Sequence, residues 1–132
     1  MREIKFRAWD KVNKRRGMVS SVWWNSALNI KNVQYYFQIT ERGIDDVDSA
    51  VAPVEDLELM QFTGLLDRQG KEIYEGDIVK TFEEIGRVIY KAPSFMLAGV
   101  EQQVFDTVDD YFINSEVIGN IYENPELLIG AK

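Results

Sequence analysis

Polar and apolar residues alternate with period two along much of this chain. Ile4-Lys5-Phe6-Arg7-Ala8-Trp9 alternates strictly, which predicts a half-buried strand. Asp10-Lys11-Val12-Asn13-Lys14 follows as a hairpin turn, with Asp opening it and Asn13 suited to a left-handed backbone. The return strand is expected from about Met18 to Trp24. Leu28 to Ile39, rich in β-branched and aromatic residues, predicts another strand. Thr40 to Pro53 is acidic and without period and reads as a loop. Leu57 to Thr63 alternates again, with apolar groups on both faces. Asp67-Arg68-Gln69-Gly70 is a turn in which Gly70 takes positive φ, and Gly76 marks a second bend before Ile78-Val79. Gly86 to Tyr90 and Phe95 to Ala98 read as paired strands. Val104, Phe105, Val108, Tyr111 and Phe112 have the spacing of a short amphipathic helix. Val117 to Tyr122 is the last strand. Asn124-Pro125-Glu126 is helix-start chemistry, with Asn124 as cap and a helical turn through Leu127 and Leu128.

Short strands joined by Gly, Asp and Asn turns imply a mainly β chain. Residues 57–128 suit a small barrel of about five strands. The domain organisation read from this is a single domain over 1–132, with an N-terminal β-hairpin lobe (1–40), a loop (41–56) and a small barrel (57–128).

Composition narrows the chemistry. The 132 residues contain no cysteine and no histidine. Disulfides, thiolate nucleophiles, Cys/His zinc sites and imidazole acid–base catalysis are therefore excluded. No run approaches the ~20 apolar residues of a membrane span. The charged start, Met1-Arg2-Glu3-Ile4-Lys5, lacks the apolar stretch of a secretion signal, so a cytoplasmic protein is expected.

The net charge of −7 is unevenly spread. Residues 1–16 carry +5, with seven Lys and Arg against Glu3 and Asp10; the remainder carries −12. A cationic end on an anionic body can pair with the acidic body of another copy, or bind nucleic acid locally.

Three stretches resemble the YopX-like family of phage and prophage proteins. They are Arg7-Ala8-Trp9-Asp10; Leu59 to Leu65 with Asp67 and Gly70 to Val79; and Val117 to Leu128. They run in the family's order over nearly the whole chain. Phe62 departs from the pattern, where the family more often has Tyr. The resemblance implies an SH3-type β-barrel built from the second and third stretches, and a protein carried by a bacteriophage or prophage. It implies no catalytic residues.

Residue type singles out the candidate sites. Glu72, Glu75 and Asp77 around Gly76 have oxygens suited to Mg²⁺ or Ca²⁺, but Asp and Gly there serve a turn equally well, and the turn is the preferred reading. Asp45, Asp46 and Asp48 lack the glycine and distant Glu of a calcium loop. No metal, cofactor or catalytic residue is expected. Lys5, Arg7 and Trp9 share one strand face; with Lys14, Arg15, Arg16, Trp23 and Trp24 they interleave cations with aromatics. That pattern grips single-stranded nucleic acid, or a partner protein. Because Trp23 and Trp24 are adjacent on a strand, they face opposite sides, and one is expected to meet the core. The reading is a non-catalytic interaction module that self-associates, with a phage or host protein as possible further partner. Nucleic-acid binding is the second choice.

Overall fold

The structure, a computed structural model, describes residues 3–39, 46–81, 85–91, 94–99, 104–105 and 115–129. It is mainly β. The chain divides into an N-terminal unit, Lys5–Gln61, and a second unit formed by Phe62–Lys132 with Met1–Ile4. Among the described residues no helix is long and apolar enough to cross a membrane.

The N-terminal unit is a five-stranded antiparallel sheet in the order β4-β3-β2-β1-β5. Its strands are β1 (Phe6–Asp10), β2 (Arg15–Trp24), β3 (Ile30–Ile39), β4 (Asp46–Pro53) and the first half of β5 (Leu57–Leu66). The β4 strand lies within the stretch expected to be a loop. Val47, Ser49 and Val51 alternate there with Asp48, Ala50 and Ala52, and Ala50 and Ala52 pack into the core. A 3-10 turn, Val54–Asp56, leads into β5. One face of the sheet carries Ala8, Val33, Tyr35, Ala52 and Leu57, with Val19, Val22, Ile30 and Phe37 packed against them. Gly17 lies opposite Ala8. A Cβ at Gly17 would overlap the Tyr36 carbonyl oxygen and the Tyr35 ring, so glycine is what lets β2 approach β3 here.

The second unit begins within β5. Its later half pairs with β6 (Glu72–Tyr74) through Phe62 opposite Tyr74 and Leu66 opposite Glu72. Between them the Thr63 hydroxyl donates to the Ile73 carbonyl (2.8 Å) and accepts from the Leu65 N–H (3.1 Å), and the ladder breaks. β7 (Asp77–Lys80), β8 (Ile85–Lys91), β9 (Ser94–Gly99), β10 (Val104–Phe105) and β11 (Glu116–Asn120) form a second antiparallel sheet, ordered β10-β9-β8-β7-β11. Among the described residues this is an open sheet rather than the closed SH3-type barrel expected: β10 and β11 stand at its two edges. Ile73, Val79, Val88 and Val117 form its core, with Leu65 beside them. The expected helix over 104–112 lies mostly outside the described residues, and Val104–Phe105 are strand. The short helix α1 (Glu126–Ile129) forms as predicted. The Asn124 side chain does not cap it, however, and instead accepts from the Asn120 N–H (3.3 Å).

Buried Asp67 organises this unit. Its Oδ1 accepts from the Gln69 and Lys71 N–H groups (both 2.9 Å) and its Oδ2 from the Val117 N–H (3.0 Å), so one carboxylate closes a turn and ties it to β11. Burial alone would raise its pKa; these bonds and the charge of Lys71 hold it below the ordinary carboxylate value. Gly70 and Gly76 adopt φ of 83° and 87°, as the turns require. Replacing Asp67 with Ala strands the buried Val117 N–H. We expect a loss of about 3 kcal/mol in urea unfolding. Arg68→Ala removes only the exposed ion pair with Glu116 and should cost under ~1 kcal/mol.

Candidate interaction surface

The site is built on the β1–β2 hairpin, whose base is set by Asp10. Its Oδ1 accepts from the N–H groups of Val12 (3.0 Å) and Asn13 (2.9 Å), which closes the turn. Its Oδ2 accepts from the Asn13 amide (2.9 Å) and from the hydroxyl of fully buried Tyr35. With Asn13 held this way, the left-handed residue is Lys14 (φ 55°), not Asn13 as expected. Its N–H donates to the Asp10 carbonyl (2.8 Å). Arg15, directly across from Asp10, donates from Nε to the Tyr35 hydroxyl (2.7 Å) and lays its guanidinium 3.9 Å over the Phe37 ring centre.

Burial opposes ionisation of Asp10, but the N–H of Asn13, the Tyr35 hydroxyl, the Asn13 amide and the N–H of Val12 outweigh it, and its pKa is lowered. Burial and the Asp10 carboxylate push the Tyr35 phenol up, against the partial opposition of Arg15. Asp10 is thus ionised and Tyr35 protonated at neutral pH. The cluster ties the hairpin turn to β3.

Cross-strand partners share a face, so the register maps the outer side of the sheet. Trp9 lies between Arg16 on β2 and Glu58 on β5. Arg7 lies between Met18 and Met60, Met18 opposite Tyr36, and Tyr36 opposite Ser49. Beyond them Gln34 faces Val51, and Trp23 faces Asn32. Met18, Tyr36, Val47, Val51 and Trp23 are all exposed on this side, and Arg16 stands exposed among them.

The candidate residues are only partly brought together. Trp9, Arg16 and Trp23 share this outer face. Arg7 is on it too but is 6% exposed, with Nη2 donating to the Met60 sulfur (3.2 Å), so it is not a surface contact. Arg15 turns to the opposite, core side. Lys5 precedes β1 and is half-buried, and Lys14 is exposed at the hairpin turn. Trp23 and Trp24 do face apart, across a register shift, but neither meets the core: they are 46% and 57% exposed. Both sit at the far end of the long β2–β3 hairpin, beyond the buried residues. Its turn is held by Asn25, whose Oδ1 accepts from the Ala27 (2.9 Å) and Asn29 (3.1 Å) N–H groups. Met18, Val47 and Val51 escaped the sequence reading. The alternation over 47–52 was the signal for the two valines, and the acidic residues around it masked the pattern.

Among the acidic candidates, Asp77 braces the bend at Gly76. Asp77 is buried and its Oδ2 accepts from the Tyr74 N–H (2.8 Å), while Glu72 accepts from the Tyr74 hydroxyl (3.2 Å). Asp48 accepts from the Ser49 N–H (2.8 Å), Asp46 opens β4, and Asp45 lies outside the described residues. Among the described residues no three His, Cys, Asp or Glu side chains gather to hold a metal.

The lowered Asp10 pKa carries a signed consequence. Its stabilising contribution is complete above the unfolded value near 3.8 and disappears as pH falls through the lower folded value. Asp10→Asn should therefore unfold about 1–3 kcal/mol more easily at pH 7. The gap between variant and parent should narrow in acid; urea unfolding at pH 7 and below pH 4 measures both.

Comparison with curated proteins found no match. Two crystal structures are similar over nearly their whole length. Protein EF1440 from Enterococcus faecalis is 26% identical, with a TM-score of 0.68 over 97% of this chain and 99% of its own. Protein yopX from Bacillus subtilis is 23% identical, with a TM-score of 0.59 over 97% and 98%, and shares the fold. The YopX protein family model matches residues 5–129. With nearly the whole chain covered, including both sheets and the Asp10 hairpin, this protein belongs to the YopX protein family.

Proposed function

We propose that this chain is a non-catalytic interaction module that self-associates, carried by a phage or prophage and acting in the cytoplasm of its bacterial host. The observation that supports it is the outer face of the N-terminal sheet, where Met18, Tyr36, Val47, Val51 and Trp23 stand exposed around Arg16. Exposed aromatic and Met side chains grouped on one rigid face are characteristic of interface centres. Formal charge adds a second support. The N-terminal unit balances eight basic against eight acidic residues, and the second unit carries the whole excess of −7. The cationic hairpin, with Lys14 and Arg16 outward, is matched to the acidic surface of another copy.

A nucleic-acid reading has one specific observation in its favour: Trp9, Arg16 and Trp23 share a face, as cations and rings do in single-strand binders. Burial of Arg7 and the inward turn of Arg15 leave that face with few cations, so the protein–protein reading is preferred.

Light scattering and sedimentation across protein concentration should show assembly at low salt that weakens as salt rises. Lys14→Glu with Arg16→Glu should raise the dissociation constant about 10-fold, equivalent to roughly 1.4 kcal/mol. A strict monomer at all concentrations and low salt contradicts the proposal. Quenching of tryptophan fluorescence by a single-stranded oligonucleotide, lost with salt, would favour the second reading instead.

A further inference from the structure

Strand β4 is the edge of the N-terminal sheet among the described residues. Its eight residues pair with β3 without a register shift, from Asn32 opposite Pro53 to Ile39 opposite Asp46. Edge strands are normally guarded by charged side chains (lysine above all), inward-pointing charges, bulges, prolines or brevity. β4 has no lysine and no bulge, and its one proline is the last residue; its charges are Asp46 and Asp48, the latter in phase with Ala50 and Ala52. Its outer-face residues, Val47, Ser49 and Val51, are exposed.

We infer that β4 pairs antiparallel with β4 of a second copy, joining two N-terminal sheets into one across a two-fold axis at Ser49. This rests on the reading that the chain self-associates, and it adds to the hairpin's charge contact a separate strand-pairing contact with its own register. The reason for a second copy is the symmetry of the strand about Ser49, in Val47-Asp48-Ser49-Ala50-Val51. In this register Ser49 meets Ser49, and Val47 of each copy meets Val51 of the other. Asp48 meets Ala50, so no two acids face each other. A parallel in-register partner would set Asp48 against Asp48, which is destabilising. Charge therefore selects the closed antiparallel pair over an open stack. The valines flank Ser49, which stands opposite Tyr36, and so share the outer face with Tyr36 and Met18.

The chain has no cysteine, so introduced thiols report cleanly. Residues directly opposite in an antiparallel pair lie close enough for a disulfide. Oxidised Ser49→Cys protein should run mainly as a covalent dimer. Val47→Cys and Val51→Cys alone should not link, whereas the double variant should. Ser26→Cys, in the β2–β3 turn, is the control and should stay monomeric on a denaturing gel. Val47→Lys with Val51→Lys should weaken association at least about 10-fold by opposing two lysine pairs. Val47→Lys with Val51→Glu should restore it, with unchanged near-ultraviolet circular dichroism showing that both variants fold. If wild-type protein associates but Ser49→Cys links no better than Ser26→Cys, the β4 assignment is wrong and the self-association reading stands. A wild-type monomer at all concentrations removes both.

Discussion

The N-terminal unit depends on how one buried carboxylate is satisfied. Asp10 accepts from two backbone N–H groups, one side-chain amide and one phenol, drawn from its own turn and from β3. An ionised group in that position is tolerable only with these partners, since an unpaired buried charge costs several kcal/mol. The requirement propagates outward. Tyr35 must be buried with its hydroxyl on Asp10, and Arg15 must turn inward to that hydroxyl and to Phe37. The hairpin's cations are thereby sorted, with Arg15 serving the core and Lys14 and Arg16 left at the surface.

The same device appears in the second unit. Asp67 collects three backbone N–H groups and fastens its turn to β11. Both aspartates are held ionised, and no imidazole or thiol exists to titrate near pH 7. These two carboxylates hold turns and strands in place. Formal charge is unevenly divided, balanced in the N-terminal unit and −7 in the second.

The strands and turns were legible wherever period-two alternation met Gly or Asp punctuation. β1 and β5, and the bends at Gly70 and Gly76, follow that rule, whereas β3 was legible from its β-branched and aromatic enrichment. β4 was hidden because its acidic residues resemble a solvated loop, and small Ala50 and Ala52 give a weak apolar signal although they pack in the core. The tryptophan pair was misjudged because alternation gives faces but not depth: it cannot show that the sheet outruns its core. The fate of Arg7 was likewise invisible, since burial of a guanidinium beside Met60 comes from pairing with β5, which is distant in sequence. Barrel closure was an expectation of strand count and resemblance; β10 and β11 each pair with a single strand, which leaves the sheet open among the described residues.

Amide hydrogen exchange at low and high protein concentration tests the central claim, that the N-terminal sheet is a docking surface. Added protection at high concentration is predicted in β4 and in the β2–β3 segments around Met18, Trp23 and Tyr36, with the Asp67 turn unchanged. Exchange in those strands that is identical at both concentrations, or added protection confined to the second unit, would contradict it.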